Sequence, residues 1–320
     1  MSALLKKLVE KTCHYRDVVP VFRIEPRPLD ELEASALRMA AGVAGRDGDA
    51  KSRIERRNGR SDVLLQDGVR ARVFHASGSL AVSAGLAPME HLIGEKADKE
   101  TLTRAAAEAG KRLGLDRFVA PGEQLVLERL WQIKAAGISG EGVRGREVLC
   151  RAVGAFRRYL HDLPVWGRAS AVVELAGDDR LAGAGVDWRT VAAEPIDRAK
   201  VIAPEAAARA VINDLGSRLP GGEFGDDDFD VAMFSLGYLS LPKRRAQSVF
   251  APVYVAMLER RGWTTTNYVI AVPGSEKVYE SVCRPNHAPP RDATKPQPGT
   301  GKSRPPRASA WNPLATPPSC

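Results

Sequence analysis

The 320-residue sequence has no apolar run of the length that a membrane-spanning helix requires. A bilayer crossing takes about 18 or more consecutive apolar residues. The apolar stretch at the amino terminus is broken by Lys6 and Lys7, and no small-residue cleavage pattern of a secretory signal peptide follows it. We therefore expect a cytoplasmic protein without membrane insertion.

Cysteine is scarce, and its spacing excludes the common zinc and thiol redox motifs. The four cysteines stand at Cys13, Cys150, Cys283 and Cys320, so no two of them have the C-x-x-C spacing that these sites use. We expect four isolated thiols. The sequence also shows no phosphate-binding glycine loop, and it predicts no cofactor and no bound metal.

A concentrated basic face is also lacking, although the formal net charge is +8. The segment 284–320 holds six basic residues and one acidic residue, so it carries +5 of this charge and leaves the rest of the chain nearly balanced. Phosphate binding depends on clustered cations that release counterions. The cluster Arg53–Arg60 is interpreted as a solvated turn and strand edge. We therefore predict no nucleic-acid partner.

Proline is concentrated at the carboxyl terminus. Ten of the 22 prolines lie between Pro285 and Pro318, among Gly, Ser, Lys and Arg residues and few apolar ones. Such a composition buries too little surface to offset the entropy lost on ordering. The segment 284–320 is thus predicted to be a disordered, basic tail, and Trp311 keeps open the alternative of a docking peptide.

The rest of the chain shows alternating periods of helix and strand. Helical spacing of apolar residues over about 28–43, 98–114 and 204–219 is followed each time by stretches that alternate with period two. The predicted fold class is α+β, with repeated units of one helix packed on an antiparallel β-meander. In the region 162–181, the apolar alternation and the turn Ala176–Asp179 predict a β-hairpin.

Three landmarks in this order resemble PepSY-like and thermolysin-propeptide-like modules. They are the loop of Leu163, Pro164, Val165 and Gly167, the helix start "VIAPEAAARAV" at 201–211, and the strand containing Pro252, Val253 and Tyr254. The resemblance implies a diverged amino-terminal helix-plus-meander module at 1–95, a PepSY-like module at 96–195 and a second one at 196–283. The arrangement is similar to duplicated extracytoplasmic regulators of a sensor kinase, but this sequence shows no membrane anchor. Such modules are non-catalytic and bind or regulate proteins.

Catalytic and metal-binding patterns are weak. Cys150, His161 and Asp162 could in principle form a nucleophile, base and orienting acid, but a strand cysteine is more typical of a packed core. The loop "GDDDFD" at 225–230 lacks the Gly and Glu positions of a calcium loop. We predict no catalytic residue, and the question whether the protein is an enzyme stays open with a non-enzyme favoured.

The predicted function is therefore binding of a protein or peptide partner. The candidate binding residues are Trp166, Arg168 and Tyr254, because aromatic and Arg side chains carry much of the energy at peptide interfaces, and an exposed strand edge could pair with an extended peptide. Two alternatives stay open. One is an enzyme of unrecognised type with a small-molecule pocket between modules, and the other is a structural subunit of a larger assembly.

Overall fold

The protein is described by a computed structural model that covers residues 2–46, 51–87, 89–94, 98–138, 140, 142–219, 224–262 and 267–279. The predictions made for the segment 284–320, Trp311 included, lie outside these residues.

This part of the chain contains four α-helices. They are α1 (Ala3–Glu10), α2 (Leu29–Val43), α3 (Lys99–Arg112) and α4 (Pro204–Arg218). Their starts follow local chemistry: the Asp98 carboxylate accepts a hydrogen bond from the Thr101 amide at 2.7 Å, and Pro204 occupies the first turn of α4. None of the described helices is long and apolar enough to cross a bilayer.

The described residues also form one short 3-10 helix, Leu115–Phe118, and seventeen strands. The strands β1 to β6 are Thr12–Cys13, Val18–Glu25, Ser52–Arg57, Arg60–Leu65, Arg70–Phe74 and Ser79–Ser83. The strands β7 to β12 are Glu123–Ala135, Val148–Leu160, Leu163–Trp166, Ala171–Leu175, Leu181–Val186 and Thr190–Val191. The strands β13 to β17 are Asp197–Lys200, Phe229–Leu239, Val249–Phe250, Pro252–Arg260 and Asn267–Pro273.

Thirteen of these strands form one large mixed sheet. Its main order is β17-β16-β14-β9-β8-β10-β11-β6-β5-β4-β3, with β1 paired to β14 and β7 paired to β8. Most neighbours are antiparallel, but β14 runs parallel to both β1 and β9. A smaller sheet has the order β12-β2-β13, and β15 also pairs with β2. The short strand β9 thus joins the two halves of the large sheet.

This architecture shows that the predicted fold class, α+β with repeated helix-on-meander units, is wrong. Strands account for 43% of the described residues and helices for 22%, and the meanders merge into one sheet instead of closing separate units. The physical reason is that β8 pairs with β7 along one edge and with β9 and β10 along the other. Local periodicity indicates that a strand is buried, but not which strands lie beside it.

Helices α2 and α3 cover one half of the large sheet. The apolar side chains of α2 pack against β4, β5, β6 and β11, and those of α3 pack against β8 and β10. Two glycines allow close packing here: a Cβ atom on Gly154 would lie 2.6 Å from Cβ of Ala106, and one on Gly110 would lie 2.9 Å from the Phe156 ring. This core includes Trp188, which is 4% exposed.

Helices α1 and α4 cover the other half of the sheet together with β2. Their core contains the inward residues of β14, β16 and β17, among them Phe234, Tyr254 and Ile270. Because side chains alternate between the faces of a strand, Val253, Val255 and Met257 of β16 lie on the opposite face, where they form a separate apolar cluster with Met233.

Two local predictions are confirmed and one is wrong. The stretch 162–181 contains the start of the β10–β11 hairpin, in which Ala171 pairs with Val186, and the turn residues Asp178 and Asp179 have φ values of 59° and 56°. Cys150 is a free, buried thiol, as expected. Cys13, however, is disulfide-bonded, so the expectation of four isolated thiols is wrong. Sequence spacing tests only for short motifs and does not reveal a disulfide bond.

Candidate functional site

The predicted binding residues Trp166 and Arg168 lie at the β9–β10 connection, where the two halves of the large sheet meet. The intervening Gly167 has a φ of 127°, and a Cβ atom there would lie 2.6 Å from the carbonyl oxygen of Ser240. Only glycine fits such a conformation and such a close approach. The Ser240 amide donates a hydrogen bond of 2.7 Å to the Trp166 carbonyl, so the loop after β14 is held against this connection.

The Trp166 ring is part of a network of side-chain contacts across β7, β8 and β9. The Arg157 guanidinium lies 4.4 Å from the centroid of the indole, in the geometry of a cation–π contact. Arg157 donates a hydrogen bond of 2.7 Å to Glu128, and the Tyr159 hydroxyl donates another of 2.7 Å to the second carboxylate oxygen. Burial and this hydrogen bond raise the pKa of Tyr159 to about 12. This network of side chains fixes the orientation of the indole.

Tyr254 does not lie at the same surface. Its side chain is fully buried, its ring stacks on Phe234 at a centroid distance of 5.2 Å, and its hydroxyl donates a hydrogen bond of 3.0 Å to the carbonyl of Ile202. Trp166 packs against the cluster on the other face of β16. The structure therefore brings Trp166 and Arg168 together and places Tyr254 in the core below the sheet.

Lys243 is a residue of this region that the sequence analysis missed. Its ammonium nitrogen lies 4.3 Å from the centroid of the Phe74 ring, and its backbone carbonyl accepts a hydrogen bond of 2.7 Å from the Ser77 hydroxyl. Burial lowers the pKa of Lys243, and the neighbouring Arg168 lowers it further. No motif signals this residue, because only the tertiary structure brings the loop after β14 beside β5.

The carboxylate of this region, that of Asp187, is already engaged. The Ser79 hydroxyl donates a hydrogen bond of 2.7 Å to it, and burial raises the pKa of Asp187. The adjacent Arg189 is 2% exposed, and its guanidinium donates to the carbonyls of Leu241 and Arg245 at 3.0 and 2.9 Å. These bonds fix the loop that carries Lys243.

We define the hairpin surface as Trp166, Arg168, Lys243 and Arg244. Among the described residues, no carboxylate oxygen lies within 4.0 Å of the charged nitrogens of Arg168, Lys243 or Arg244. Arg168 and Arg244 are exposed, while Trp166 and Lys243 are partly buried. The hairpin surface thus presents three cations beside aromatic rings, an arrangement that suits an acidic ligand.

The candidate catalytic residues do not come together. Cys150 is 2% exposed, and its Sγ contacts the Val148 carbonyl and the Met89 sulfur. His161 and Asp162 form the tight β8–β9 turn, with φ values of 48° and 63°, and the His161 ring stacks on Phe22 at 5.2 Å. Their positive φ values show that both residues have a structural role in this tight turn.

The acidic loop also has structural partners. Asp226 accepts hydrogen bonds from the Ser2 hydroxyl and the Ala3 amide at the start of α1, and Asp230 forms an ion pair with Arg261. A carboxylate at a helix start is favoured by the helix dipole. Across the described ranges, no group of three or more His, Cys, Asp or Glu side chains is arranged to hold a metal ion.

Comparisons with known proteins find a similar fold and no assigned family. No family model matches the chain, and no curated protein is significantly similar to it in sequence. Among solved structures, the chain is similar to an uncharacterized protein from Eubacterium rectale ATCC 33656, with a TM-score of 0.51 and 10% sequence identity. The match covers 84% of this chain and 94% of the other. At this identity the similarity concerns the fold alone, and the resemblance to PepSY-like modules and the predicted domain boundaries stay predictions.

Proposed function

We propose that the protein is a non-catalytic binding protein whose hairpin surface takes an acidic, extended segment of a partner protein. The observation that carries the proposal is the set of three cations, Arg168, Lys243 and Arg244, that have no carboxylate within 4.0 Å among the described residues. Asp187 compensates the positive charge of this cluster only in part, because it is one carboxylate beside three cations.

The electrostatics of Lys243 support an anionic partner. Its ammonium group is partly buried, and Arg168, Arg72 and Arg244 all act to lower its pKa. Asp187 opposes this effect, but one carboxylate cannot balance the charges of Lys243, Arg168 and Arg244. A second carboxylate placed beside Lys243 relieves the mutual repulsion of these cations, so its binding is favoured.

A peptide segment fits the hairpin surface better than a small ion does. The cations lie on two separate chain segments, the β9–β10 connection and the loop after β14, and the partly exposed Trp166 provides apolar contact area beside them. Hot spots of peptide interfaces combine aromatic rings with Arg side chains in this way. The buried Cys150 and the turn role of His161 favour binding over catalysis.

The test uses a short fluorescein-labelled peptide of alternating Asp and Leu residues and a matched peptide with Asn in place of Asp. We expect the acidic peptide to bind the full chain and the Asn peptide to bind at least about tenfold more weakly. The double variant Arg168→Glu with Lys243→Glu should lose the difference between the two peptides. Arg209→Glu on α4 is the control, because Arg209 is exposed and lies on another part of the molecule.

Fluorescence anisotropy measured at several salt concentrations gives the readout, since contacts between exposed charges weaken as salt rises. Equal affinity for both peptides, or equal effects of the hairpin and control variants, would disprove the proposal. A duplex oligonucleotide that binds more tightly than the acidic peptide would show that the cations serve a nucleic acid instead. The cytoplasmic location stays a prediction that fractionation of the host can test.

A further inference from the structure

A second feature of the molecule is a cleft between α2 and the carboxyl end of α3. It has a volume of about 350 Å³ and is walled by Met39, Leu113, Phe118 and Trp188. This volume falls at the lower end of the range found for small-molecule sites. The cleft shares no residue with the hairpin surface, and it lies between the predicted segments 1–95 and 96–195.

Two guanidinium groups converge on one neutral oxygen at the rim of this cleft. Arg27 and Arg38 each donate a hydrogen bond to the Ser35 hydroxyl, at 3.1 and 3.0 Å, and that hydroxyl donates to the Glu31 carbonyl at 2.8 Å. Both cations therefore lie close together around an uncharged acceptor. Like charges in such proximity repel one another, and an anion is their better partner.

A third arginine lines the same cleft. Arg117 belongs to the short 3-10 helix Leu115–Phe118 and lines the cleft. Its aliphatic stem passes over Gly114, where a Cβ atom would lie 3.2 Å from Cδ of Arg117, and Gly114 has a φ of 68°. Glycine at this position thus permits both the left-handed turn and the position of the Arg117 side chain.

The carboxylates nearby do not neutralise these groups. No acidic residue lines the cleft. The one ion pair formed is that of Arg27 with Glu31, at 4.0 Å, and the Glu31 side chain is 60% exposed. Within the described residues, Arg38 and Arg117 form no ion pair. The cleft therefore holds three cations and only one weak counterion at its edge.

The apolar wall of the cleft indicates which kind of anion it can bind. The rings of Trp188 and Phe118 lie 6.4 Å apart between centroids, and the Arg27 guanidinium lies 5.6 Å from the centroid of Phe118. From these observations we propose that the cleft binds a small organic anion, with a carboxylate held by Arg27, Arg38 and Arg117 and an aromatic or aliphatic body against the partly exposed Phe118. Arg side chains suit this role because their planar fork matches a carboxylate.

Isothermal titration of the full chain with 3-phenylpropanoate tests this site, with the neutral 3-phenylpropanamide as the matched ligand. The acid is expected to bind, and the amide to bind about tenfold to a hundredfold more weakly, because hydrogen bonds to charged groups contribute most. Arg38→Gln and Arg117→Gln should each weaken binding of the acid by a similar factor. Arg104→Gln, on the exposed face of α3, should leave it unchanged.

Ser35→Asp gives an independent readout, because it places a carboxylate where Arg27 and Arg38 meet. This variant should no longer bind the acid, because its own carboxylate occupies the two guanidinium groups. Equal binding of acid and amide, no binding of the acid by the wild type, or a folded Ser35→Asp variant that binds the acid as tightly as the wild type would overturn the proposal. The hairpin variants Arg168→Glu and Lys243→Glu should leave this binding unchanged, so the two proposals fail separately.

Discussion

The guanidinium of Arg158 forms an ion pair with the carboxylate of Glu123 that is almost completely buried, with 1% and 2% of the two side chains exposed. The same guanidinium lies 4.5 Å from the centroid of the Trp188 ring and 5.6 Å from that of Phe250, and it donates to the Arg189 carbonyl at 2.7 Å. Because Trp188 and Phe250 belong to different apolar cores, this ion pair lies where the two halves of the molecule meet.

We expect Glu123→Gln to destabilise the protein by about 3–5 kcal/mol, because it leaves the buried Arg158 without its counterion. Denaturant unfolding followed by circular dichroism measures this loss. Asp230→Asn is the matched control, since Asp230 pairs with Arg261 at a surface where both side chains are about half exposed. The control substitution should lower the unfolding free energy by less than about 1 kcal/mol. Equal losses of unfolding free energy for both variants would contradict the prediction.

Arg189→Leu should loosen the loop that carries Lys243. The Arg189 guanidinium donates to the carbonyls of Leu241 and Arg245, and Leu cannot replace these bonds. Local opening exposes backbone to proteases, so trypsin is expected to cut after Lys243, Arg244 or Arg245 faster in the variant than in the wild type. Mass spectrometry of the fragments identifies the cut. An unchanged rate at these three positions would count against this role of Arg189.

Gly237→Ala should disturb the packing of Trp166. A Cβ atom at this position would lie 2.4 Å from the carbonyl oxygen of Pro164 and 2.6 Å from the indole nitrogen of Trp166. We expect a loss of about 1–3 kcal/mol in unfolding free energy and a changed tryptophan emission spectrum. Gly137→Ala serves as the comparison, because nothing lies within 4 Å of a Cβ atom there. A Gly237→Ala variant as stable as Gly137→Ala would refute this account.

Stability should fall in acid partly through Asp197. Hydrogen bonds from Lys277 and Tyr279 lower the pKa of Asp197 from 3.8 to about 2. A carboxyl group whose pKa is lower in the folded state contributes stability above its unfolded pKa, and this contribution disappears as the pH falls from 3.8 to about 2. Asp197→Asn should therefore melt below the wild type at pH 6, and the difference should be much smaller at pH 2. A difference in melting temperature that persists unchanged at pH 2 would argue against this cause.

Local structure followed closely from the sequence. The spacing of Leu102, Ala106 and Ala109 predicted α3, and these side chains are buried in it. The alternation around Ala171, Val173 and Leu175 predicted β10, which pairs with β11 in the expected hairpin. Both predictions succeeded because helix and strand periods depend only on residues close together in the chain. Each period identifies the face of the element that is buried.

The pairing of these elements into one sheet could not be predicted from the sequence. The parallel pairing of Tyr238 with Val165 merges the meanders into one sheet, and no local pattern indicates that β9 lies beside β14. The candidate binding sites were limited in the same way, because local patterns do not show which distant residues meet. Trp166 and Arg168 were proposed from residue type, whereas Lys243 and the three cleft arginines became visible only when distant segments were brought together.

The sequence by itself determined where helices and strands form, because short-range periodicity sets which side chains are buried. The tertiary structure alone decided that thirteen strands share a sheet and that Arg27, Arg38 and Arg117 face one cleft. Pairing of strands and convergence of charges depend on contacts between residues far apart in the chain. The free energy of those contacts arises only when both partners are in place.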